Sequence, residues 1–451
     1  MMFMMKAMKQ IQTAVSFCAV FLCAVFLYAA ENTAYISPYP QDVTRRALSS
    51  LAEISVITFN PGKAVYQTFG HSAIRVSDPV KNIDKLFTFG AIPNIDNPEV
   101  LLSALLSKAE CIAGAARFGD VLSFDQKVQN RLCIEQKLNV THEEKEKIYS
   151  YLLWKTEEAN RAEKYDPVKN NCATAVLEVL KLVWATGIAD NHFLRKSASP
   201  LSYRSLITAH LSENPWANTA AKLFLGCAAD RDAELLDMAF MPDVLRSIIA
   251  VSKTKANGEI VPLVKSTARI ADEVPKSAKK RGETIVRFSP NAPAYFFQAI
   301  GICAVVCTVL EIALFVIAQK KQSIIQVSRI VSSSMAAFDI LYFFVSGFLG
   351  FLVLVFSLSA PSGIVGGNLN FLWLLPTNAV ASVFCVREKP SRVLSGYFLA
   401  AAYLCVFVLI FREKFPQTID GVFVPLMIAT AVRAVFQALN RPLKAMLQAR
   451  A

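Results

Sequence analysis

The chain has 451 residues, of which 54% are apolar and 18% are charged, and its formal net charge is +12. It is too apolar for a disordered chain and too poor in charge for an ordinary soluble protein. Taken alone, this excess of basic residues would favour a nucleic acid or an anionic membrane as partner. However, residues 31–296 carry 33 basic and 30 acidic side chains, whereas residues 297–451 carry 12 and 5. The middle is therefore an ordinary soluble region, the tail is predicted to be membrane, and no nucleic-acid partner is indicated.

The first thirty residues predict a secretory signal. Lys6 and Lys9 precede an apolar run from Ile11 to Leu27, and Tyr28-Ala29-Ala30 offers small residues for cleavage. The run is long for a signal peptide, so an uncleaved anchor is the alternative. In both cases the chain after residue 30 is exported.

The first half of the exported region has the composition of β-strands. Short runs of β-branched and aromatic residues end at turn residues such as Pro61-Gly62 and Asp78-Pro79. One of these runs flanks His71. The predicted strands are 52–58, 65–70, 72–76, 86–89 and 132–138.

Two helices are predicted to follow these strands. Thr141 opens a capping-box pattern that predicts a helix to about Arg161. A second helix is predicted to start near Cys172, because apolar residues recur there at helical spacing as far as Val183. The exported region is therefore predicted to be an α+β domain in which a histidine on a strand precedes a cysteine at a helix start.

The predicted position of Cys172 suits a nucleophile. A helix N-terminus and a nearby imidazolium both lower the pKa of a thiol, and the thiolate is the reactive form. His71 is the candidate base. Asn170 and Asn171 precede the cysteine and are expected to cap the helix or to donate to an oxyanion.

Three questions stay open at this level. Arg75 is expected on the same side of its strand as His71, where it either binds phosphate or forms a structural ion pair. Either Asp166 or Asn171 is a candidate to orient His71. Cys172 also has a structural alternative, because the four cysteines of the exported region can form two disulfides in three pairings. These cysteines are Cys111, Cys133, Cys172 and Cys227.

Five apolar segments in the tail approach the roughly 20 residues that cross a bilayer. With residues 31–295 outside, nine of the tail's twelve basic residues fall in loops and a C-terminus that face the cytoplasm, as the positive-inside rule requires. The third segment is short and is interrupted by Pro376. The predicted spans are 296–318, 334–358, 369–386, 393–411 and 421–439.

Several polar residues lie in or beside these spans. Glu311 and Asp339 fall inside them, where an ionised carboxylate is costly, and they have either a polar packing partner or a functional role. Asn368, Asn370 and Trp373 mark the outer mouth of the third span and suggest either specific packing or a substrate-facing turn. No metal-ligand, cofactor or nucleotide motif is present, so no metal or cofactor is predicted.

These ordered motifs resemble the Lnb-type family, in which a periplasmic N-terminal domain precedes a five-helix membrane domain. The motifs are Gly70-His71-Ser72 through Arg75-Val76, Tyr165-Asp166 through Asn170-Asn171-Cys172-Ala173-Thr174, Leu225-Gly226, Asp230, Phe240-Met241-Pro242, and Asn368-Leu369-Asn370 with Leu372-Trp373 and Pro376. The resemblance implies a circularly permuted papain-like (NlpC-like) fold in the exported domain. It also implies that Cys172 is the nucleophile and His71 its base.

The resemblance further implies a lipoprotein N-acyltransferase in the bacterial inner membrane. Such an enzyme takes an acyl chain from a phospholipid donor and gives it to the amine of a diacylglyceryl lipoprotein. The rival hypotheses are an exported cysteine peptidase or amidase of cell-wall type and a non-enzymatic, membrane-tethered maturation factor. The expected organisation is a signal (1–30), a periplasmic domain (31–250), a basic linker (251–295) and a five-span domain (296–451).

Overall fold

The protein is represented by a computed structural model, which describes residues 46–62, 65–183, 201–256, 259–271, 291–318, 325–360, 363–385 and 392–448. The chain forms two compact units. The sheet unit comprises residues 32–206 and 232–285, and the helical unit includes residues 207–231 and 286–451. The predicted signal lies outside the described residues, as do residues 276–281, the most basic stretch of the predicted linker.

An antiparallel sheet organises the sheet unit. The strands of the described chain are β1 (Glu53–Phe59), β2 (His71–Asp78), β3 (Ile83–Ala91), β4 (Glu110–Arg117), β5 (Cys133–Leu138), β6 (Ala162–Lys164), β7 (Lys253–Ala256), β8 (Glu259–Pro262) and β9 (Val264–Ala271). Seven of them form the sheet in the order β6-β4-β3-β2-β1-β5-β9, and β7 and β8 form a separate hairpin.

Helices in the sheet unit cover one face of this sheet, and alternation along the strands explains why. Ile74 and Val76 point to the face that α3, α4 and α7 cover, whereas Ala73 points to the opposite face with Phe59 and Phe118. The helices of the described chain are α1 (Pro98–Leu105), α2 (Phe118–Phe124), α3 (His142–Thr156), α4 (Cys172–Lys181), α5 (Tyr203–His210), α6 (Pro215–Phe224), α7 (Pro242–Val251), α8 (Ala292–Ala318), α9 (Ile325–Ser359), α10 (Asn378–Ser382), α11 (Arg392–Phe411) and α12 (Val424–Gln448).

Most predicted elements of the sheet unit are present. The Thr141 capping box opens α3, and Cys172 is the first residue of α4. The predicted strand at 65–70 is instead a short 3-10 turn at Val65–Gln67.

The domain boundaries also differ from the prediction. Residues 207–231 cluster with the helical unit, and the predicted linker contains β7 to β9. Strand β9 pairs with β5 at the edge of the sheet. Its exposed Lys265 and Arg269 are typical of an edge strand, and they make this segment resemble a charged linker.

Four helices in the described residues of the helical unit are long and apolar enough to cross a membrane. Their contacts fix their relative directions. Gly301 of α8 lies against Pro425, and Glu311 bonds to Arg433, so α8 and α12 run parallel. Tyr342 of α9 donates to the Leu426 carbonyl, while Asp339 of the same helix accepts from Arg433. Helix α9 therefore runs antiparallel to α12.

Helix α11 also runs antiparallel to α12. Its Phe398 clusters with Ala434 and Ala438, whereas its Val408 clusters with Phe423. The four span-length helices cover Ala292–Ile317, Ser334–Ser359, Arg392–Lys414 and Gly421–Leu439.

The predicted third span is not a continuous helix. It contains a 3-10 turn at Leu369–Leu372 and the five-residue helix α10, on either side of Pro376. The segment nevertheless lies alongside α12. Trp373 packs on Phe423, and Cys385 joins the cluster that contains Ala438. Residues 423 to 438 of an α-helix span about 22 Å.

Candidate active site

Asn171 fixes the start of α4 and therefore the position of Cys172. Its Oδ1 accepts hydrogen bonds from the backbone N–H groups of Ala173 (2.9 Å) and Thr174 (3.0 Å). Its Nδ2 donates to the carbonyls of Pro167 (2.8 Å) and Phe240 (2.9 Å). The side chain is buried and its amide is committed on both sides. Asn171 is thus a helix cap.

The loop that leads to Cys172 is held by the other two candidates. Asp166 accepts from Ser107 Oγ (2.9 Å) and from the backbone N–H groups of residues 168 and 169. Asn170 Nδ2 donates to the carbonyl of Lys164 (2.8 Å). In the described structure none of the hydrogen bonds of Asp166, Asn170 and Asn171 involves His71, and these residues shape the helix start.

His71 is the first residue of β2 and is half-buried. Gly70 precedes it with a φ of +78°, and a Cβ at this glycine would lie 2.6 Å from the Phe59 carbonyl oxygen. Only glycine tolerates both conditions. The imidazole Nε2 lies 2.6 Å from Thr88 Oγ1 on the neighbouring strand. Thr88 therefore takes the place beside His71 that we predicted for Asp166 or Asn171.

The start of α4 reaches the sheet near His71. The β2–β3 ladder has its last regular pair at Ala73 and Thr88, and the β3–β4 ladder shifts register between Thr88 and Ala91. The first turn of α4 lies at this point, where the backbone N–H of Ser72 donates to the Cys172 sulfur. The sulfur therefore lies beside the peptide that joins His71 to Ser72.

Gly90 permits this close approach. Its φ is +68°, and a Cβ on it would lie 3.0 Å from the backbone nitrogen of Cys172. The backbone amide of Cys172 is thus bordered by a residue without a side chain, which leaves room next to the sulfur.

Burial keeps both reactive groups neutral. It raises the pKa of the Cys172 thiol, while the N–H groups of Ser72 and Ala173 act in the opposite direction. Burial is also the main cause that lowers the pKa of His71 from 6.5 to about 4, and the charge of Arg131 lowers it further. At neutral pH the thiol of Cys172 and the imidazole of His71 are thus both neutral, and the imidazole is able to accept a proton.

Arg131 is a residue of this site that the sequence analysis missed. Its guanidinium forms an ion pair with the buried Asp125 and lies 5.0 Å from the Phe59 ring. That ring is 6.4 Å from His71. The charge of Arg131 lowers the pKa of Cys172 as well as that of His71. No local sequence signal marks Arg131, which lies in the loop before β5.

Arg75 is engaged in structural ion pairs. Its Nε donates to Asp84 (2.7 Å), its Nη1 donates to Glu135 (3.1 Å), and its guanidinium lies 4.1 Å from the centre of the Phe118 ring. Of the two predicted roles, these contacts favour the structural one.

The other cysteines differ from Cys172. Cys111 and Cys133 are buried in strands, and burial raises their pKa values to about 11 and about 12. Cys227 lies in the helical unit and donates to the Gly367 carbonyl (2.9 Å). All four are free thiols in the described structure. Among the residues described, no group of three or more His, Cys, Asp or Glu side chains is placed to hold a metal ion.

In the helical unit, Asn368 and Asn370 form a buried structural network. Both donate to the Leu223 carbonyl at the end of α6 (2.8 and 2.9 Å). Asn370 Oδ1 accepts from the indole of Trp373 (3.0 Å), and Gln417 donates to Asn368 Oδ1 (3.1 Å). All of these side chains are buried. Of the two roles predicted for this stretch, the contacts favour packing.

Glu311 and Asp339 share a partner that the sequence analysis missed. The fully buried Arg433 donates to Asp339 through Nε and Nη2, each at 2.7 Å, and to Glu311 through Nη1 at 2.7 Å. Thr308 also accepts from Nη1 (2.8 Å). The two intramembrane carboxylates are therefore paired, as the packing alternative required.

Comparison with known proteins agrees with the resemblance seen in the motifs. Residues 39–209 match the Lnb N-terminal periplasmic domain, and residues 294–442 match the Lnb transmembrane domain. No curated protein and no solved structure matches the chain. With a periplasmic domain followed by a transmembrane domain in the order of this family, the chain is a multi-pass membrane protein that belongs to the Lnb-type family.

Proposed function

We propose that this protein is a lipoprotein N-acyltransferase of the bacterial inner membrane. It takes a fatty acyl chain from a phospholipid and transfers it, through a thioester on Cys172, to the terminal amine of a diacylglyceryl lipoprotein. The observation that carries the proposal is the junction of α4 with β2. It puts a thiol at a helix N-terminus, beside a histidine whose second nitrogen is held by Thr88.

The first step forms the thioester. His71 accepts the thiol proton as the Cys172 sulfur attacks the ester carbonyl of the phospholipid. The tetrahedral intermediate carries an oxyanion, for which the backbone N–H of Cys172, beside Gly90, is the proposed donor. When the intermediate collapses, the C–O bond breaks and the lysophospholipid leaves with the proton held by His71.

The second step transfers the acyl chain to the amine. The lipoprotein's terminal nitrogen attacks the thioester carbonyl, and His71 takes a proton from it. The C–S bond then breaks, and the proton returns to the sulfur, which regenerates the thiol. Both substrates are lipids, which suits an enzyme that carries its own membrane domain.

We also propose that the sheet unit is a permuted papain-like fold. The supporting features are a cysteine at the first turn of a helix, an antiparallel sheet against which that helix packs, and a histidine on a sheet strand. His71 precedes Cys172 in the chain, which is the permuted order.

We further propose that the chain crosses the membrane five times, a count that the helix directions support. Helices α9 and α11 both run antiparallel to α12, so the chain between them has to return from one side of the bilayer to the other. The broken segment that lies alongside α12, from Phe423 to Ala438, supplies that return. A broken crossing is tolerated where neighbouring helices satisfy its backbone groups.

Mass spectrometry of the N-terminal peptide of one lipoprotein tests the function. A strain with no other N-acyltransferase and with Cys172→Ala or His71→Ala is expected to accumulate lipoproteins with a free amine. Cys303→Ala, which removes an exposed cysteine of α8, is the matched control and keeps full N-acylation.

Two other outcomes contradict the proposal. Full N-acylation in the Cys172→Ala strain would show that the thiol is not the nucleophile, as in a maturation factor. Normal acylation together with lost peptidoglycan cleavage would instead assign the site to a cell-wall amidase.

A further inference from the structure

A cavity of about 450 Å³ lies within the helical unit, and its lining includes no residue of the proposed mechanism. Small-molecule pockets typically enclose about 300–1,000 Å³, so its size suits a ligand. Three elements build its wall: α6, the start of α8, and the turn that opens α12. Polar side chains from two of them line it, including Asn218 and Lys222 of α6 and Gln298 of α8.

A fixed pair of opposite charges lies at this wall. Lys222 Nζ is 2.9 Å from Asp420 Oδ2, and the two side chains are 28% and 27% exposed. Asp420 immediately precedes the lining residue Gly421, and its Oδ1 accepts from the backbone N–H of Val422 (2.9 Å). The carboxylate is therefore held in place by the backbone, and a ligand can still reach both charges.

Exposed aromatic residues put the cavity at the level of lipid headgroups. Trp216 of α6 contacts Phe296 of α8, with ring centroids 5.8 Å apart. Trp216, Phe296 and Tyr295 are 37%, 53% and 58% exposed. Tryptophan and tyrosine concentrate at membrane–water interfaces. These residues adjoin the lining residues Pro215 and Ala294, so the cavity lies where this belt meets the outer ends of α8 and α12.

We propose that this cavity binds the headgroup of a zwitterionic phospholipid, with the phosphate toward Lys222 and the amino group toward Asp420. A simple anion meets repulsion from Asp420, and a simple cation meets repulsion from Lys222. A headgroup that carries both charges matches both residues, and the side-chain amides of Asn218 and Gln298 are suited to donate to phosphate oxygens.

The existing ion pair does not prevent this binding. A partly exposed ion pair contributes little to stability, so exchange of each partner for a headgroup charge costs little. The inference goes beyond the proposed acyl transfer, because headgroup binding is measured without turnover and without Cys172.

Native mass spectrometry of the detergent-solubilised full chain tests this proposal. The probes are phosphatidylethanolamine and phosphatidylglycerol with identical acyl chains, and inorganic phosphate as competitor. Phosphatidylethanolamine is expected to bind about fivefold more tightly than phosphatidylglycerol, because its amino group adds one charge contact, with Asp420. Inorganic phosphate in large excess is expected not to displace it.

Two variants assign the charges. Asp420→Asn keeps a side chain that caps the turn before α12 but removes the charge, so the preference for phosphatidylethanolamine is expected to disappear. Lys222→Ala is expected to weaken binding of both lipids. The controls Glu413→Gln and Lys414→Ala remove one charge each from exposed positions near α12 that do not line the cavity, and they are expected to bind as the unmodified protein does.

The opposite results overturn the proposal. Equal binding of the two lipids, or a preference that survives in Asp420→Asn, would exclude recognition of a zwitterion. Displacement by inorganic phosphate would assign the cavity to free phosphate. If Lys222→Ala does not fold, the Asp420→Asn comparison decides alone.

Discussion

Two polar clusters of this protein differ in how completely their groups are paired. In the helical unit, Arg433 donates to Asp339, Glu311 and Thr308, and Gln437 donates to the same aspartate. In the sheet unit, Cys172 and His71 are half-buried and neutral, and the donors described at the sulfur are backbone N–H groups.

This difference separates a structural cluster from a chemical one. A charge in an apolar interior has to be paired, and once paired it holds its partners in place. The cluster around Arg433 thus ties α8, α9 and α12 together. A neutral thiol and a neutral imidazole need no such pairing, and one proton transfer turns the thiol into a thiolate nucleophile.

Removal of the nucleophile is expected to abolish chemistry and to spare stability. In Cys172→Ala, the rate of acyl transfer from phospholipid to a synthetic lipopeptide is expected to fall at least about 10³-fold. The melting temperature is expected to stay within a few degrees, because the change removes one half-buried atom. Retention of more than about a tenth of the activity would contradict a covalent mechanism.

Loss of the central charge in the helical unit is expected to have the opposite effect. Arg433→Met leaves two buried carboxylates unpaired, which is expected to lower the free energy of unfolding by about 3–5 kcal/mol. The triple variant Arg433→Met, Asp339→Leu, Glu311→Met removes all three charges and is expected to recover most of this loss. Thermal unfolding of the purified protein in detergent measures both. A triple variant no more stable than Arg433→Met would show that ion pairing is not what these residues contribute.

Local sequence patterns predicted much of the sheet unit. The alternation of Ile74 and Val76 with polar residues marks β2, and the Thr141 capping box marks α3. In each of these elements, residues close together in the sequence determine the secondary structure. The residue types and chain order of His71 and Cys172 made them candidates for base and nucleophile, the family resemblance strengthened that assignment, and it stays a prediction.

Long-range contacts explain what the sequence did not reveal. Thr88 looks like any β-branched strand residue, and it meets His71 only because β2 and β3 pair in the register that sets Ala73 opposite Thr88. Arg433 lies about a hundred residues from its partner Asp339 and becomes its neighbour only when three helices pack. The sequence marked the third predicted span as short and interrupted by Pro376, but its 3-10 turn, its short helix and its packing against α12 depend on long-range contacts.

Thr88 provides a test of the hydrogen bond that holds His71. Thr88→Val keeps the shape but removes the hydroxyl, so kcat is expected to fall about 10-fold, as for one lost hydrogen bond of about 1.4 kcal/mol, with little change in KM. Thr88→Ser restores the hydroxyl and is expected to recover most of kcat. The matched control is Thr58→Val on β1, because the buried Thr58 hydroxyl has no hydrogen-bond partner in the described structure. Equal loss in both Val variants would indicate a packing effect.

Arg131 is expected to give the smallest effect, a displacement of the pH–rate profile. Activity requires a neutral His71, so it is lost as the pH falls through the pKa of this group, about 4. Arg131→Gln removes a positive charge that lowers this pKa, and the acid limb moves upward. Burial, the larger cause, remains, so the limb stays below 6.5. The same charge lowers the pKa of Cys172, and the alkaline limb moves upward too.

The direction of both limbs distinguishes an electrostatic role from a structural one. The expected displacement is about one pH unit or less, because Asp125 already neutralises part of the arginine charge. The double variant Asp125→Asn, Arg131→Gln separates the loss of the cation from the effect of an unpaired buried carboxylate. Arg269→Gln, at an exposed position on β9, is the control and leaves the profile in place. A lower rate with an unmoved profile would mean that Arg131 only supports the loop before β5, because a structural residue changes the population of active enzyme but not the pKa of His71.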